Sequence, residues 1–83
     1  MIVTVRLFAR AKDLAGTDVV RVELPEGATV ARLRLGLSAA VPPLAGLLDR
    51  SAIAVNGEFA EVSQLLAESD EVALLPPVSG GTC

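Results

Sequence analysis

Residues able to do chemistry are scarce in this chain of 83 residues. It has no His, and Cys83 is its only cysteine. Neither a Ser-His or Cys-His nucleophile–base pair nor a cysteine–histidine zinc site can form, and an internal disulfide is excluded. Carboxylates remain, grouped as Glu58/Glu61 and Glu68/Asp70/Glu71, at positions typical of turns and solvent-facing loops. We therefore expect no catalytic residues in the chain itself, no metal site and no bound cofactor.

The C-terminal residues predict a different role, that of a slim arm that hands something to another protein. An apolar run ending at Leu75 is followed by Pro76-Pro77-Val78-Ser79-Gly80-Gly81 and then by Thr82-Cys83. Because proline lacks a backbone donor and fixes φ, a strand would stop here and the chain would leave it extended. At about 3.1 Å per residue the segment to Gly81 would reach roughly 19 Å, and two glycines can enter a channel too narrow for a Cβ atom. The pattern predicts a flexible arm over residues 76–83 that serves another protein, although a frayed terminus is the ordinary alternative.

Composition indicates that this arm is attached to one small domain, predicted over residues 1–75. The apolar fraction of 52% is high for so short a chain, so we expect part of the apolar surface to meet a partner. The longest uncharged run, residues 35–48, is too short to span a bilayer and contains Pro42-Pro43. Arg6 and Arg10 interrupt any start that resembles a signal peptide. We therefore expect no membrane association and a cytoplasmic location.

Charge is divided unevenly along the chain. Residues 1–50 carry a net charge of +2, whereas residues 51–83 contain five carboxylates and no Lys or Arg, which gives the overall net charge of −3. An acidic half argues against a nucleic-acid partner, because phosphates require a basic stripe. It suits either a partner with a basic surface or a solvated face that keeps the protein in solution.

Alternation of apolar and polar residues predicts the strands. Residues 2–8 and 19–24 alternate with period two, and a short helix from Phe8 to Ala15, ended by Gly16, would join them. In an antiparallel pair Arg6 could face Glu23. Residues 52–55 form a third short strand and residues 58–60 return along it. The Asn-Gly pair at 56–57 between them is a strong signal for a tight hairpin, and residues 71–75 form the last strand.

One amphipathic helix is predicted between the second and third strands. Thr29 is a suitable N-cap, Pro42-Pro43 ends the helix, and Gly36 should weaken its middle by about 1 kcal/mol relative to Ala. Apolar residues recur on one side at helical spacing, namely Val30, Leu33, Leu37 and Ala40.

This order of elements predicts an α+β fold of the ubiquitin-like β-grasp type, a mixed sheet packed against one main helix. The first and last strands would be central, adjacent and parallel, because the chain between them is long enough to cross over. The extended C-terminal arm would then leave from a central strand. Phe8 and Phe59, the only aromatic residues, would either fill the core or form an exposed surface for a partner.

Three segments resemble the small, sulfur-carrier subunit of molybdopterin synthase. They are residues 7–16 (LFARAKDLAG), Ala54-Val55-Asn56, and residues 66–81, which end in the proline and glycine pairs described above. The resemblance runs nearly end to end and is weakest from Arg32 to Ser51. Its most specific part is the run from Asp70 through Pro-Pro-Val-Ser to Gly81.

The resemblance implies that Gly81 is the reactive end. In that family an activating enzyme uses ATP to adenylate the terminal carboxylate, and sulfur replaces AMP to give a thiocarboxylate. The large subunit then receives the arm and passes the sulfur to a cyclic pyranopterin phosphate during molybdenum cofactor biosynthesis. Gly80 would provide clearance, and Pro76, Pro77, Val78 and Ser79 would position the arm. The implied assembly is a heterotetramer in which this chain donates sulfur without catalysing the transfer.

The residues after Gly81 depart from that pattern. An amide bond to Thr82 removes the free carboxylate that adenylation needs, so we expect a processing protease to remove Thr82-Cys83. Storage of sulfur on Cys83 as a persulfide is an alternative, but no neighbouring cation or His would activate that thiol. Three other functions stay open: a sulfur carrier for thiazole or cysteine synthesis, a ubiquitin-like modifier joined through Gly81 to lysines, and a structural module with an inert tail.

Overall fold

The computed structural model describes residues 1–75, which form one five-stranded mixed sheet with helices on one face. The strands are β1 (Ile2–Leu7), β2 (Val19–Glu23), β3 (Ala52–Val55), β4 (Glu58–Phe59) and β5 (Val72–Leu75). The helices are α1 (Ala9–Ala15), α2 (Val30–Ala40) and α3 (Ala45–Leu48), with a 3₁₀ turn at Pro42–Leu44. The expected α+β architecture is confirmed, and the arm over residues 76–83 lies outside the described residues.

The strand order is β2-β1-β5-β3-β4. β1 and β5 lie side by side and parallel, while the other neighbouring pairs are antiparallel. The prediction that the first and last strands are central is therefore confirmed. The strand that precedes the arm is hydrogen-bonded on both sides, which fixes the point where the arm begins.

The register of β1 and β2 corrects one expectation. Arg6 lies opposite Val19, and Glu23 lies opposite Ile2, so the predicted pair of Arg6 with Glu23 is wrong. The reason is the short connection. Gly16 ends α1 in the left-handed conformation with φ 73°, and the Leu7 amide already donates to the Asp18 carbonyl at 2.8 Å. β2 therefore begins beside the end of β1.

The core lies between α2 and one face of the sheet. Alternate residues of β1 and β5 are buried there, and Leu33 and Leu37 of α2 are fully buried against them. Thr29 is the N-cap as predicted, since its hydroxyl accepts from the Arg32 amide. Carbonyls of residues 62 and 64 accept from the amides of Ala31 and Val30, so the connection before β5 also satisfies the start of α2.

Gly36 has a role that helix propensity alone does not predict. A Cβ atom at this position would lie 2.7 Å from Cγ1 of Val22 and 3.4 Å from Cδ2 of Leu24. The glycine therefore lets α2 approach β2 more closely than an alanine would. In residues 1–75 no helix is long and apolar enough to cross a membrane.

Candidate functional site

The sheet face opposite α2 is the main candidate surface, because no helix within residues 1–75 covers it. The strand registers align five residues across this face in one row: Val19, Arg6, Ala73, Ala54 and Phe59. Phe8 and Leu75 lie at the adjacent level and line the same groove as Arg6. We call these seven residues the open face. Arg6 is the one charged residue among these seven, while Thr4, Arg21 and Glu71 lie on the same side of the sheet beside them.

Phe8 and Phe59 both belong to the open face and are not core residues. Phe59 is 78% exposed and Phe8 is 44% exposed. The core-filling interpretation is therefore wrong for both, and their role as a partner surface stays a prediction. Exposed aromatic side chains cost free energy in water and are enriched where proteins associate. Their exposure on one continuous face is what an interaction surface requires.

A groove of about 320 Å³ runs along the open face next to β5. Its lining includes Arg6, Phe8, Ala54, Glu71, Ala73 and Leu75. Small side chains form its floor, since Ala54 and Ala73 are cross-strand partners. The groove is therefore a shallow apolar channel with charged groups at Arg6 and Glu71, and it reaches Leu75 at the end of β5.

A polar network fixes the β3–β4 hairpin to the start of β5. Asn56 Nδ2 donates to Asp70 Oδ1 at 3.0 Å, and the Glu71 amide donates to Asn56 Oδ1 at 2.9 Å. The Asn56 amide also donates to the Glu71 carbonyl at 2.7 Å. Asn56 and Gly57 have φ values of 54° and 84°, as the predicted tight hairpin requires. The sequence predicted the turn but not the side-chain contacts that join it to β5.

Pairing at the end of β5 sets the origin of the arm. Leu75 is half-buried and lies opposite Ala52, at the start of β3. Arg34 holds the chain just before Ala52, because its guanidinium donates to the carbonyls of Leu48 and Ser51. The predicted arm would therefore begin from a strand end that is paired on its β3 side and supported from α2.

The predicted arm residues fall outside the part of the chain that the structure describes. They are Pro76, Pro77, Val78, Ser79, Gly80 and Gly81, together with Thr82 and Cys83. Within residues 1–75, no cluster of three or more His, Cys, Asp or Glu could hold a metal ion. Glu58, Glu61, Glu68 and Glu71 are exposed, as expected for turn and solvent positions, whereas Asp70 is half-buried in the hairpin network.

Comparisons with known proteins match nearly the whole length of the chain. A model described as the ThiS family matches residues 5–81. The molybdopterin synthase sulfur carrier subunit of Arabidopsis thaliana is 33% identical over 79 residues, which cover 95% of this chain and 82% of that protein. The crystal structure of SAMP1 from Haloferax volcanii matches with a TM-score of 0.85 and 35% identity, over 98% of this chain and 100% of SAMP1.

A third comparison involves a complex. The structure described as a protein–protein complex of subunits 1 and 2 of molybdopterin-converting factor from Helicobacter pylori contains a chain that matches this one with a TM-score of 0.69 and 27% identity. The match covers 98% of this chain and all of that chain. A relative of the same fold is thus seen together with a second subunit.

Proposed function

This chain belongs to the ThiS family, and from that membership we propose that it is the sulfur-carrier subunit of a molybdopterin synthase. The observation that carries the proposal is the match to a sulfur carrier subunit of that synthase over 95% of the chain. The fold supports it, because β5 is a central strand and Pro76 follows it directly.

The proposed reactive group is the carboxylate of Gly81. A carboxylate is a poor electrophile, so an activating enzyme would first transfer AMP from ATP to it and release pyrophosphate. Sulfide-level sulfur from a donor would then attack the acyl carbon of Gly81, break its bond to the phosphate oxygen of AMP and leave a thiocarboxylate. The large subunit would accept the arm and direct the sulfur to a cyclic pyranopterin phosphate. The acid, base and phosphate-binding groups for that transfer would come from the large subunit, because this chain has no His and its one cysteine is Cys83.

The open face is the proposed docking surface for the large subunit, with Phe8 and Phe59 as its aromatic anchors. Both are exposed and lie on the sheet face that α2 leaves uncovered. β5 contributes Ala73 and Leu75 to the same face. The H. pylori complex of subunits 1 and 2 supports a two-subunit assembly of this kind, and a heterotetramer is the stoichiometry we propose. Docking through the open face would present the arm to the partner from a fixed origin at Leu75.

Processing is part of the proposal, because Gly81 must have a free carboxylate before it can be adenylated. The peptide bond to Thr82 prevents this, so a protease would have to remove Thr82-Cys83. A direct test is ATP–pyrophosphate exchange with the activating enzyme of the same organism, comparing the full chain with a chain that ends at Gly81.

We expect exchange with the chain ending at Gly81 and none with the full chain. A third chain, ending at Ser79, is the control that separates the arm from the domain, and it should be inactive. When ATP and a sulfide donor are added to the chain ending at Gly81 and the activating enzyme, mass spectrometry should detect the replacement of one oxygen of the Gly81 carboxylate by sulfur. Equal exchange by the chains ending at Gly81 and at Ser79 would overturn the assignment of Gly81.

A second candidate function is that of a protein modifier, favoured by the SAMP1 match. The H. volcanii protein with 38% identity over 84 residues is named small archaeal modifier protein 1. As a modifier, the activated Gly81 would form an amide with a lysine instead of receiving sulfur. Lysine adducts ending in Gly81 in a proteomic digest would support this function, and a thiocarboxylate without such adducts would support the carrier.

A further inference from the structure

We propose that Arg6 determines the specificity of the open face by binding a carboxylate of the large subunit. This inference rests on the proposed docking surface and adds a requirement to it. The partner must present an Asp or Glu side chain among the apolar groups that meet Phe59 and Ala73. An entirely apolar partner surface would be rejected.

The position of Arg6 carries the proposal. Arg6 is the second residue of the five-residue row across the open face, with Val19 on one side and Ala73 on the other. Ala54 and Phe59 continue the row beyond Ala73. Every other member of the row is apolar, so the side chains on both sides of Arg6 at its own level cannot accept a hydrogen bond. It is exposed in the free chain, where water solvates the guanidinium.

Docking changes that solvation. A partner that covers the row from Phe59 to Ala73 also meets Arg6, because Ala73 and Arg6 lie at the same level on the adjacent strands β5 and β1. Removing a guanidinium from water without an acceptor is costly, and a planar carboxylate is the group that matches its paired donors. The backbone carbonyls of β1 and its neighbours are already used in the strand ladders. The acceptor therefore has to come from a side chain.

Glu71 is the competing acceptor within this chain. It lines the same groove as Arg6 and lies two residues before Ala73, the cross-strand partner of Arg6. However, its backbone is held by Asn56 at the hairpin end of β5, one level away from the row that contains Arg6. Our proposal assigns the carboxylate to the partner, and the variant Glu71→Gln tests that assignment directly.

The experiment measures the affinity of the purified large subunit for the full chain and for the chain ending at Gly81. Arg6→Leu is the decisive substitution, because the two possibilities predict opposite signs. If the partner presents a carboxylate, the leucine leaves that charge buried and unpaired, and affinity falls by about tenfold or more. If the partner is apolar at this point, the leucine extends the apolar surface and affinity rises.

Matched variants distinguish a local contact from general charge effects. Arg21→Leu removes the same charge from the same sheet face, but on edge strand β2 opposite Thr4. We expect it to change affinity by less than about threefold, as is usual for a charge at the rim. The affinity of Arg6→Lys for the large subunit should lie between those of the wild type and Arg6→Leu, since a lysine keeps the charge but loses the planar pair of donors.

Three results would overturn the proposal: unchanged or tighter binding by Arg6→Leu, an equal loss with Arg21→Leu, or an equal loss with Glu71→Gln. Phe59→Ser shows whether a negative result concerns only the role of Arg6 or the open face as the docking surface. If Phe59→Ser weakens binding and Arg6→Leu does not, the surface stands and the role of Arg6 is wrong. If neither variant affects binding, the proposed surface itself is wrong.

Discussion

Substitution of Gly36 by Ala tests whether this residue is required by packing against the sheet. Helix propensity predicts that Gly36→Ala stabilises α2 by about 1 kcal/mol. The structure predicts the reverse, because the new Cβ would lie 2.7 Å from Cγ1 of Val22. Val22 is 4% exposed and branched at Cβ, so its side chain cannot rotate away freely.

The magnitude follows from these two opposing terms. Adding a methyl group to a packed interior costs about 1–3 kcal/mol, and a stiff neighbour favours the upper part of that range. After the propensity gain of about 1 kcal/mol is subtracted, we expect a net loss of about 1–2 kcal/mol. For a domain of this size each kcal/mol lowers Tm by about 4–8 °C.

Gly46→Ala provides the matched control. Gly46 is also helical, within α3, and a Cβ atom there would have nothing within 4 Å. The substitution Gly46→Ala should leave the unfolding free energy unchanged or raise it by up to about 1 kcal/mol. Urea unfolding followed by far-UV circular dichroism is the suitable assay, since the chain has no Trp or Tyr for fluorescence. A Gly36→Ala variant as stable as Gly46→Ala would refute the packing argument.

Three further predictions concern the hairpin, the helix start and the open face. Asn56→Ala should lower the unfolding free energy by about 1–3 kcal/mol, because it removes the side-chain hydrogen bonds and places an alanine at a positive φ. Asn56→Gly should lower it less, since glycine adopts that φ without strain. Hydrogen exchange at the Glu71 amide should be faster in both variants, and unchanged exchange would contradict the network. Thr29→Ala should lower the unfolding free energy measured in urea by about 0.5–1 kcal/mol, whereas Thr29→Ser should keep most of the wild-type value. An equal loss in both variants would exclude the N-cap. Phe59→Ser should change the unfolding free energy by less than about 0.5 kcal/mol yet raise the carrier concentration needed for half-maximal sulfur transfer; a large loss of stability would mean that Phe59 supports the fold.

Local patterns predicted much of the framework because each depends on nearby residues. Alternation from Ile2 to Leu7 set both the strand and its buried face, since side-chain direction in a strand follows parity. Gly16 and the Asn56-Gly57 pair supplied the positive φ values that their turns require. Such features do not depend on where distant parts of the chain lie.

Contacts between segments that lie far apart in the sequence could not be predicted from local patterns. The pairing of Arg6 with Val19 depends on how tightly α1 closes the connection, which composition does not determine. Ala9 has a φ of 51° at the start of α1, and the sequence does not indicate this conformation, because alanine rarely adopts a positive φ. The contact of Gly36 with Val22 and the exposure of Phe8 likewise depend on how helix and sheet meet.

The location of the open face explains how one small domain could serve both recognition and delivery. β5 contributes Ala73 to the row that would dock and Leu75 to the point from which the arm leaves. A partner bound to that row would therefore hold the origin of the arm at a fixed place, and Gly81 could sample only the volume within roughly 19 Å of it. Confinement by a short tether corresponds to an effective concentration in the millimolar range. Recognition by Arg6 and Phe59 would thus set how often the arm is presented, while the group carried at Gly81 would set what is transferred.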